Sequence, residues 1–263
     1  MTIRIGIAID NQQPSGGSYD PDASLFIAAN LAAGGTLSLA NKLAINNLFK
    51  NFKGVGAANS TYNIYSRIYP YLFAGGTANS AAIQARTLAS GTFAGSNLGY
   101  DNNAFHTNTN AYFETVEFSD DLTANGYGYL VCNRNSLSGT LNDIFANTDF
   151  HLFSITIYTI LRHNASSAGS FDENIIIAGV FGFNKSVGNL SFFRQDNTKE
   201  TISDPPYTAV TLSHTKFRLG LSGIVNNAGQ NIYSPFILTS GLSDAEMLLL
   251  QASMVQYNTE IQL

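Results

Sequence analysis

The sequence predicts a mainly β protein, in which a β-sandwich of jelly-roll type follows two N-terminal helices and a third helix closes the chain. From about residue 60 to about residue 240, apolar residues recur at every second position in short runs, and loops rich in Asn and Gly separate the runs. A period of two places alternate side chains on one face of a strand. Many short strands joined by turns are typical of sandwiches and jelly rolls.

The alternation is clearest in residues 215–221. There Phe217, Leu219 and Leu221 should point into the sandwich, because alternate side chains of a strand share a face. The charged residues beside them, Lys216 and Arg218, should point to solvent. Residues 150–160 are predicted as one continuous strand, whose apolar face contains Phe153, Ile155 and Ile157. Further strands are predicted at residues 128–134, 174–183, 187–194, 208–213 and 232–239.

Two helices are predicted before the sandwich, at residues 21–32 and 38–53. The first begins after Asp20, a capping carboxylate followed by proline at the first helical position, and two glycines end it. The second begins near Thr36 or Ser38 and ends at Lys53, with a glycine beyond it. Its narrow apolar stripe, which should pack on the sandwich, contains Ile45, Leu48, Phe49 and Phe52.

A closing helix is predicted at residues 243–260. The segment Ser243-Asp-Ala-Glu246 is a capping box, and Leu242 can pack on Met247 as a hydrophobic staple. We expect this helix to cover the outside of a sheet and to contribute no chemistry of its own.

Residues 1–19 are predicted to form an arm, separate from the domain that residues 20–263 form. Isoleucines occupy alternate positions of the arm, and a connector containing Gly and Ser follows them. An unpaired strand of this kind can join the sheet of a partner by strand addition. The alternative, equally open from the sequence, is that the segment is the first strand of its own sandwich.

Charge and composition exclude some classes of function. The net charge is −5 and no basic cluster is present, whereas nucleic-acid binding needs concentrated Lys and Arg. No apolar run approaches the roughly 18–20 residues of a membrane span. We therefore expect neither nucleic acid nor membrane as a partner. A surface with few charges suits protein packing or sugar contacts, and it also suits ordinary β-structure. Cys132 is the one cysteine, so no intrachain disulfide forms.

Candidate catalytic carboxylates cluster at Glu114 and Glu117, with Asp120 and Asp121 close behind. A glycoside hydrolase needs two carboxyl groups facing one groove, roughly 5–5.5 Å apart for retention or about 6.5–9.5 Å apart for inversion. Glu114 and Glu117 are three positions apart, so a regular strand would point them to opposite faces. No Gly-x-Ser-x-Gly elbow is present for a serine nucleophile. We predict no enzymatic activity and no catalytic residue.

Metal ligands at a recognisable spacing are absent from the sequence. The histidines lack the HxH or HExxH spacing of zinc sites, and they are His106, His151, His163 and His214. A second set of residues offers oxygens that Ca²⁺ could use, namely Asp101, Asn102, Asn103, Asn108 and Asn110. One carboxylate is few for that ion, so an ordinary loop of Asx-turns is the favoured interpretation. We predict no metal and no cofactor.

Four tyrosines that lie close together in the sequence could stack on sugars if they were exposed. They are Tyr62, Tyr65, Tyr69 and Tyr71. Their spacings of three, four and two positions favour a different role, in which they are buried against the second helix.

The order of several short segments resembles a structural module of bacteriophage virions. These segments are residues 22–30, 42–50, 68–77, 98–102, 110–115, 241–246 and 255–258. In that module, two helices precede a "YPF-GG" turn and a concanavalin A/laminin-G-like jelly-roll sandwich, and the resemblance covers residues 20–263. It implies a capsid- or tail-associated fibre or decoration-type protein, assembled in the host cytoplasm, which contacts other virion proteins and forms a homo-oligomer.

Two classes of function therefore stay open. The first is the virion structural role, in which the protein works by packing against identical or neighbouring subunits. The alternative is a carbohydrate-binding module that recognises host surface glycans. An exposed pair of aromatic residues at the rim of the sandwich would favour the alternative. A glycan hydrolase ranks well below both.

Overall fold

Two antiparallel sheets pack face to face in this computed structural model, and helices cover the outer face of one of them. The structure describes residues 18–55, 63–95, 98–107, 111–118, 126–134, 141–146, 150–155, 158–163, 166–171, 178–186, 189–203, 216–220 and 231–263. The predicted fold class, a mainly β sandwich with two N-terminal helices and a C-terminal helix, is confirmed. Residues 1–17 lie outside the described residues, so the predicted arm stays a prediction.

The three predicted helices begin and end close to the predicted positions, and the described part of the chain contains one further, short helix that was not predicted. They are α1 (Pro21–Ala32), α2 (Leu39–Phe52), the short α3 (Ala78–Ala81) and the closing helix α4 (Asp244–Glu260). The N-terminal caps are the side chains of Asp20 for α1 and Ser38 for α2, each of which accepts hydrogen bonds from the first turn. The predicted capping box of Ser243 and Glu246 is present on α4.

Fourteen strands are found in the described part of the chain. The first seven are β1 (Ile68–Tyr71), β2 (Thr92–Ala94), β3 (Phe105–Thr107), β4 (Tyr112–Glu114), β5 (Tyr127–Asn133), β6 (Leu141–Ala146) and β7 (Phe150–Ile155). The others are β8 (Tyr158–His163), β9 (Ser166–Phe171), β10 (Gly179–Ser186), β11 (Asn189–Phe193), β12 (Lys199–Ser203), β13 (Arg218–Leu219) and β14 (Asn231–Ser240).

The helix-covered sheet has the strand order β1-β14-β5-β10-β11-β12, and β3 also pairs with β14. The second sheet has the order β2-β4-β13-β6-β7-β8-β9. All neighbouring strands of both sheets are antiparallel, as expected for a sandwich built from hairpins and longer crossovers. In this order β2 lies at an edge of the second sheet.

The central strands of the helix-covered sheet are buried on both faces, and β5 shows how. Tyr129 and Val131 point into the aromatic core between the two sheets, whereas Leu130 and Cys132 point towards the helices. Phe217 and Leu219 close the core from the second sheet, and Lys216 and Arg218 are exposed, as predicted. A strand covered on both faces is apolar at nearly every position, because neither set of alternate side chains meets water.

The helices cover this sheet through a second apolar core. The predicted stripe of α2 is fully buried there, and Leu242 and Met247 lie in the same cluster, as the staple requires. Lys53, just beyond α2, bridges back to the start of α1, with its ammonium nitrogen 2.8 Å from Asp20 and 2.5 Å from Asp22. The two N-terminal helices are thereby tied to each other as well as to the sandwich.

One strand prediction is wrong. Residues 150–160 do not form a continuous strand: β7 ends at Ile155, β8 begins at Tyr158, and the two strands pair antiparallel with Ile155 opposite Tyr158. The chain therefore reverses within this run. Alternation with a period of two does not mark a turn, so the same pattern would also suit one long strand. Residues 156, 157, 208–213 and Leu221 lie outside the described residues.

Candidate functional site

A cleft of about 550 Å³ opens beside the edge strand β2. Its walls come from α3, from the residues that lead into β2, and from Tyr100. We call this the aromatic cleft and define it by Asn79, Ser90, Thr92, Phe93 and Tyr100. A cleft of this size lies within the usual range of about 300–1,000 Å³ for small-molecule sites.

The α3 side of the aromatic cleft is held by buried hydrogen bonds. Asn30, on α1, donates from its side-chain amide to the carbonyl oxygens of Ala74 (2.9 Å) and Ser80 (3.2 Å). Thr77 caps α3 and forms a capping box with Ser80, so the first turn of α3 has one defined orientation. The N-terminal helix α1 therefore positions one wall of the cleft.

The floor of the cleft depends on Gly91. Its backbone N–H donates to the carbonyl oxygen of Ala82 over 3.0 Å, which holds the start of β2 against the end of α3. A Cβ atom added at Gly91 would lie 2.4 Å from the ring of Phe113 and 2.5 Å from the carbonyl oxygen of Glu114. Only a glycine fits at position 91, because any side chain would clash with these atoms.

The aromatic wall consists of the rings of Phe93 and Tyr100, which meet edge to face with their centroids 4.7 Å apart. Both side chains are half-buried. Phe93 also contacts the rings of Phe105 and Phe113, each with centroids 4.9 Å away, so the core holds it in place. Tyr100 thus rests on a rigid support, and the pair is partly exposed at the rim of the sandwich.

The polar side chains of the aromatic cleft are available to a ligand. Asn79, Ser90 and Thr92 are exposed, and none of their side chains hydrogen bonds to the described part of the chain. The hydroxyl group of Tyr100 likewise makes no hydrogen bond to the described part of the chain. Burial raises its pKa, so it stays a neutral donor and acceptor. No charged side chain is found among the described residues that line this cleft.

A second cleft, of about 450 Å³, contains Arg134 and is called the arginine cleft. Its polar groups are already engaged. Arg134 donates to the carbonyl oxygens of Asn102 (2.5 Å) and Asn103 (3.2 Å) and to the side chain of Asn258 (2.7 Å). Asn41 donates to the carbonyl oxygen of Ile261 over 3.0 Å. These bonds fasten a loop and two helices to one another, which is a structural role.

Three of the residues that were considered as calcium ligands, Asp101, Asn102 and Asn103, belong to this fastened loop. Asn102 and Asn103 adopt left-handed backbone angles, with φ of 53° and 52°, which Asn tolerates better than most residues. The side-chain oxygen of Asn103 accepts from the N–H of Gly75 over 3.0 Å, and the two carbonyl oxygens face the Arg134 cation. The interpretation as an ordinary loop of Asx-turns without a metal stays a prediction. Asn108 and Asn110 lie outside the described residues.

The four histidines are scattered along the sequence. His106 pairs with Asp101 at 2.9 Å, whereas His151 and His163 belong to β7 and β8 and His214 lies outside the described residues. Within the described ranges, no group of three or more His, Cys, Asp or Glu side chains could hold a metal ion. Among the described helices, none combines the length and the hydropathy that crossing a membrane would require.

The candidate carboxylates differ in their surroundings. Glu114 ends β4 and binds Arg218 at 2.8 Å and Lys216 at 3.5 Å. Glu117 lies beyond the strand and is exposed. Asp120 and Asp121 lie outside the described residues. Glu114 is thus bound in an ion pair with two cations, and the lack of catalytic residues stays a prediction.

The tyrosines that were expected to pack on α2 divide into two groups. Tyr65 does so, with its ring 5.8 Å from that of Phe49. For Tyr69 and Tyr71 the predicted burial is confirmed, but the predicted partner is wrong: they lie between the sheets, against Phe118 and Phe113. The reason is that β1 is a strand, which turns these side chains towards the sandwich core. Tyr62 lies outside the described residues.

Sequence reasoning missed the two residues of the aromatic wall. Tyr100 belongs to a segment that the virion resemblance includes, but its role there gave no sign of a cleft. Phe93 lies in a three-residue strand between two glycines, too short for a period to be detected. The signal that could have found them is an aromatic residue flanked by Gly and small polar residues near a predicted turn.

No family model matches this sequence, and no curated protein matches it. Solved structures do match in three dimensions. The ligand-binding domain of botulinum neurotoxin serotype D, solved with N-acetylneuraminic acid, matches with a TM-score of 0.56 and 12% identity, over 72% of this chain and 51% of that one. The chain thus spans about half the length of the toxin domain.

Two further structures show the same likeness. Domain 4 of AbnA, an extracellular GH43 arabinanase from Geobacillus stearothermophilus solved with arabinotriose, matches with a TM-score of 0.53 and 12% identity, over 70% of this chain and 97% of that one. A Trypanosoma rangeli sialidase mutant matches with a TM-score of 0.54 and 12% identity, over 85% of this chain and 38% of that one. At these identities the likeness shows a shared β-sandwich fold.

Proposed function

We propose that this chain is a carbohydrate-binding module and that the aromatic cleft is its binding site. The observation that carries the proposal is the combination of a half-exposed aromatic pair with four polar side chains that make no hydrogen bond to the described part of the chain. The arginine cleft lacks both features, since its polar groups bind one another.

The chemistry of the aromatic cleft suits a sugar. A pyranose or furanose ring has an apolar face of C–H groups, which packs on an aromatic ring, and a rim of hydroxyl groups. The amide of Asn79 and the hydroxyl groups of Ser90, Thr92 and Tyr100 can each donate and accept, so they suit hydroxyl groups that do the same. A largely preformed cleft with few polar groups is the usual form of a small-ligand site.

The structural neighbours support this proposal. One neighbour was solved with N-acetylneuraminic acid and another with arabinotriose, and the botulinum neurotoxin C structure concerns its interaction with two ganglioside molecules. Several of them are binding domains with a sandwich like this one, which also favours recognition over catalysis. The position of the site in this chain rests on its own residues.

A glycan array followed by calorimetry tests the proposal. Tyr100→Ala removes half of the aromatic wall, and we expect it to weaken binding of the best glycan by at least about tenfold. Tyr112→Ala is the matched control, because Tyr112 is a half-buried tyrosine on the adjacent strand β4 that does not line the cleft. Absence of any glycan ligand, or equal affinity in the wild type and Tyr100→Ala, would contradict the proposal.

The second candidate function is the virion structural role, for which we propose a location in a phage particle assembled in the host cytoplasm. The sequence resemblance supports it, together with aliphatic side chains exposed on the helix layer at Leu25, Leu39, Val55 and Val255. Residues of this kind suit contact with another subunit when they are grouped. The two candidates are compatible, because a module on a virion can also bind host glycans.

Deletion of residues 1–19 together with cross-linking and mass spectrometry of intact particles tests this second candidate. A folded protein that no longer joins the particle would support an attachment arm. Loss of the fold, or unchanged incorporation, would count against it. We suggest also a deletion that ends at residue 17, since it leaves the Asp20 cap of α1 in its native context.

A further inference from the structure

We infer that the aromatic cleft selects neutral sugars and discriminates against glycans that place a carboxylate or sulfate in it. The inference rests on the proposed carbohydrate-binding function and names the class of ligand for the same site. Three features of the cleft carry it, namely the charge of its lining, the nature of its aromatic wall and the position of the neighbouring cations.

The described lining offers no cation to an acidic sugar. Its polar groups are the neutral side chains of Asn79, Ser90, Thr92 and Tyr100, and the remaining lining residues are small or apolar. A carboxylate that leaves water loses a large hydration free energy, and neutral donors offset less of that loss than a cation does. Hydroxyl groups lose much less hydration free energy, because one or two neutral hydrogen bonds replace those that they made with water.

The aromatic wall adds to this selectivity. The faces of the Phe93 and Tyr100 rings carry the negative part of the aromatic quadrupole. A C–H face of a sugar is attracted by such a surface, whereas an anion placed over it is repelled. The support from Phe105 and Phe113 fixes Phe93, so the wall cannot turn away to avoid an anion.

The cations nearest in the sheet are bound elsewhere. Lys216 and Arg218 belong to the β13 region, two strands from β2, and both bind Glu114. Two strand spacings amount to roughly 10 Å, which is about one Debye length at physiological ionic strength. Glu114 lies opposite Thr92 in the β2–β4 register, so a carboxylate is nearer to the cleft than either cation along the sheet.

The experiment compares matched glycans that differ only in charge, namely a neutral oligosaccharide that the protein binds and the same oligosaccharide capped with sialic acid or sulfate. We expect the neutral form to bind at least about tenfold more tightly at physiological ionic strength. Asn79→Lys places a cation at the rim of the cleft and should reduce the difference in affinity between the neutral and the acidic glycan. Gln256→Lys, an equal change of charge at an exposed position on α4, should leave it unchanged.

The outcomes separate this inference from the proposed function. Acidic glycans that bind as tightly as neutral ones, with both lost in Tyr100→Ala, would overturn the selectivity and leave carbohydrate binding intact. A protein that binds no glycan would overturn both. A preference for the neutral form that Asn79→Lys reduces and Gln256→Lys does not would support the inference.

Discussion

The side-chain amide of Gln251, in the middle of α4, donates a hydrogen bond to the carbonyl oxygen of Val180 over 2.8 Å. The same amide also donates to the carbonyl oxygen of Arg194 over 2.5 Å. Gln251 is fully buried beneath the closing helix. One side chain thus supplies donors to β10 and to the residue that follows β11, and it joins the closing helix to two strands of the helix-covered sheet.

Replacement of Gln251 by Leu should lower the free energy of unfolding by about 1–3 kcal/mol. The variant leaves buried carbonyl oxygens of Val180 and Arg194 without these donors, and such groups cost about that much when they lose a partner. Urea denaturation of the wild type and the variant measures the difference. Gln256→Leu, at an exposed position of the same helix, is the control and should change stability by less than about 0.5 kcal/mol. Equal effects of the two substitutions would contradict this role.

Asp244, the first residue of α4, should make stability depend on pH. Its carboxylate accepts hydrogen bonds from Asn184 (3.0 Å), Ser191 (2.7 Å) and Lys199 (2.5 Å), which lie on three successive strands. Burial by itself would raise the pKa of Asp244, but these hydrogen bonds outweigh it and hold the pKa below the ordinary value of 3.8. A carboxylate with a lowered pKa stabilises the folded state above its ordinary pKa, and this contribution is lost as the pH falls.

The wild type should therefore exceed Asp244→Asn in stability most clearly near neutral pH. We expect the difference to shrink progressively as the pH falls below about 5, because the unfolded state then begins to bind the proton, and to vanish only below the lowered pKa of the folded state. Denaturation series at several pH values measure it. Glu260→Gln, at the opposite end of α4, is the control for loss of one charge. A difference between wild type and Asp244→Asn that is constant over this range would show that Asp244 acts without its charge.

Replacement of Gly91 by Ala should weaken both the fold and the cleft. The new methyl group would press on the ring of Phe113 and the carbonyl oxygen of Glu114, and overpacking of this kind costs about 1–3 kcal/mol. Since Gly91 also leads into β2, displacement of the strand should move Phe93 and reduce glycan affinity. Thermal melts and calorimetry measure the two effects. Ser90→Ala, at the exposed neighbouring position, should leave stability nearly unchanged.

Glu114→Gln should leave the affinity for a neutral glycan unchanged and should not affect any release of reducing ends. Glu114 binds Arg218 and Lys216 at the surface, and an ion pair of this type contributes about 0–1 kcal/mol. A reducing-sugar assay on host polysaccharide measures hydrolysis, with Glu117→Gln measured alongside. Hydrolysis by the wild type that disappears in either variant would show that the protein is an enzyme after all.

The helices could be predicted from the sequence because their signals are local. A cap such as Ser38 or Ser243 acts on the N–H groups of its own first turn, so a few consecutive residues contain the information. The hairpin between β7 and β8 was missed for the opposite reason. Its reversal depends on how Ile155 and Tyr158 pair across two strands, and alternation alone is the same for one strand or two.

The candidate site could not be predicted, because tertiary contacts assemble it. Phe93 becomes a wall only when β2 pairs with β4, and Tyr100 meets it from a separate segment. Neither segment is long enough to show a period. The tyrosines that did attract notice were buried, since the alternation that places Tyr69 and Tyr71 on one face of β1 also directs that face inward.

Alkylation of Cys132 can report local unfolding of the helix layer in the native protein. The thiol lies beneath the closing helix, is 1% exposed, and burial raises its pKa to about 12. Since the thiolate is the reactive species, alkylating reagents should modify it only after the helices lift from the sheet. The chain has no other cysteine, so a single mass increment counts opened molecules. The rate of alkylation therefore measures how often the helix layer detaches, without any introduced label.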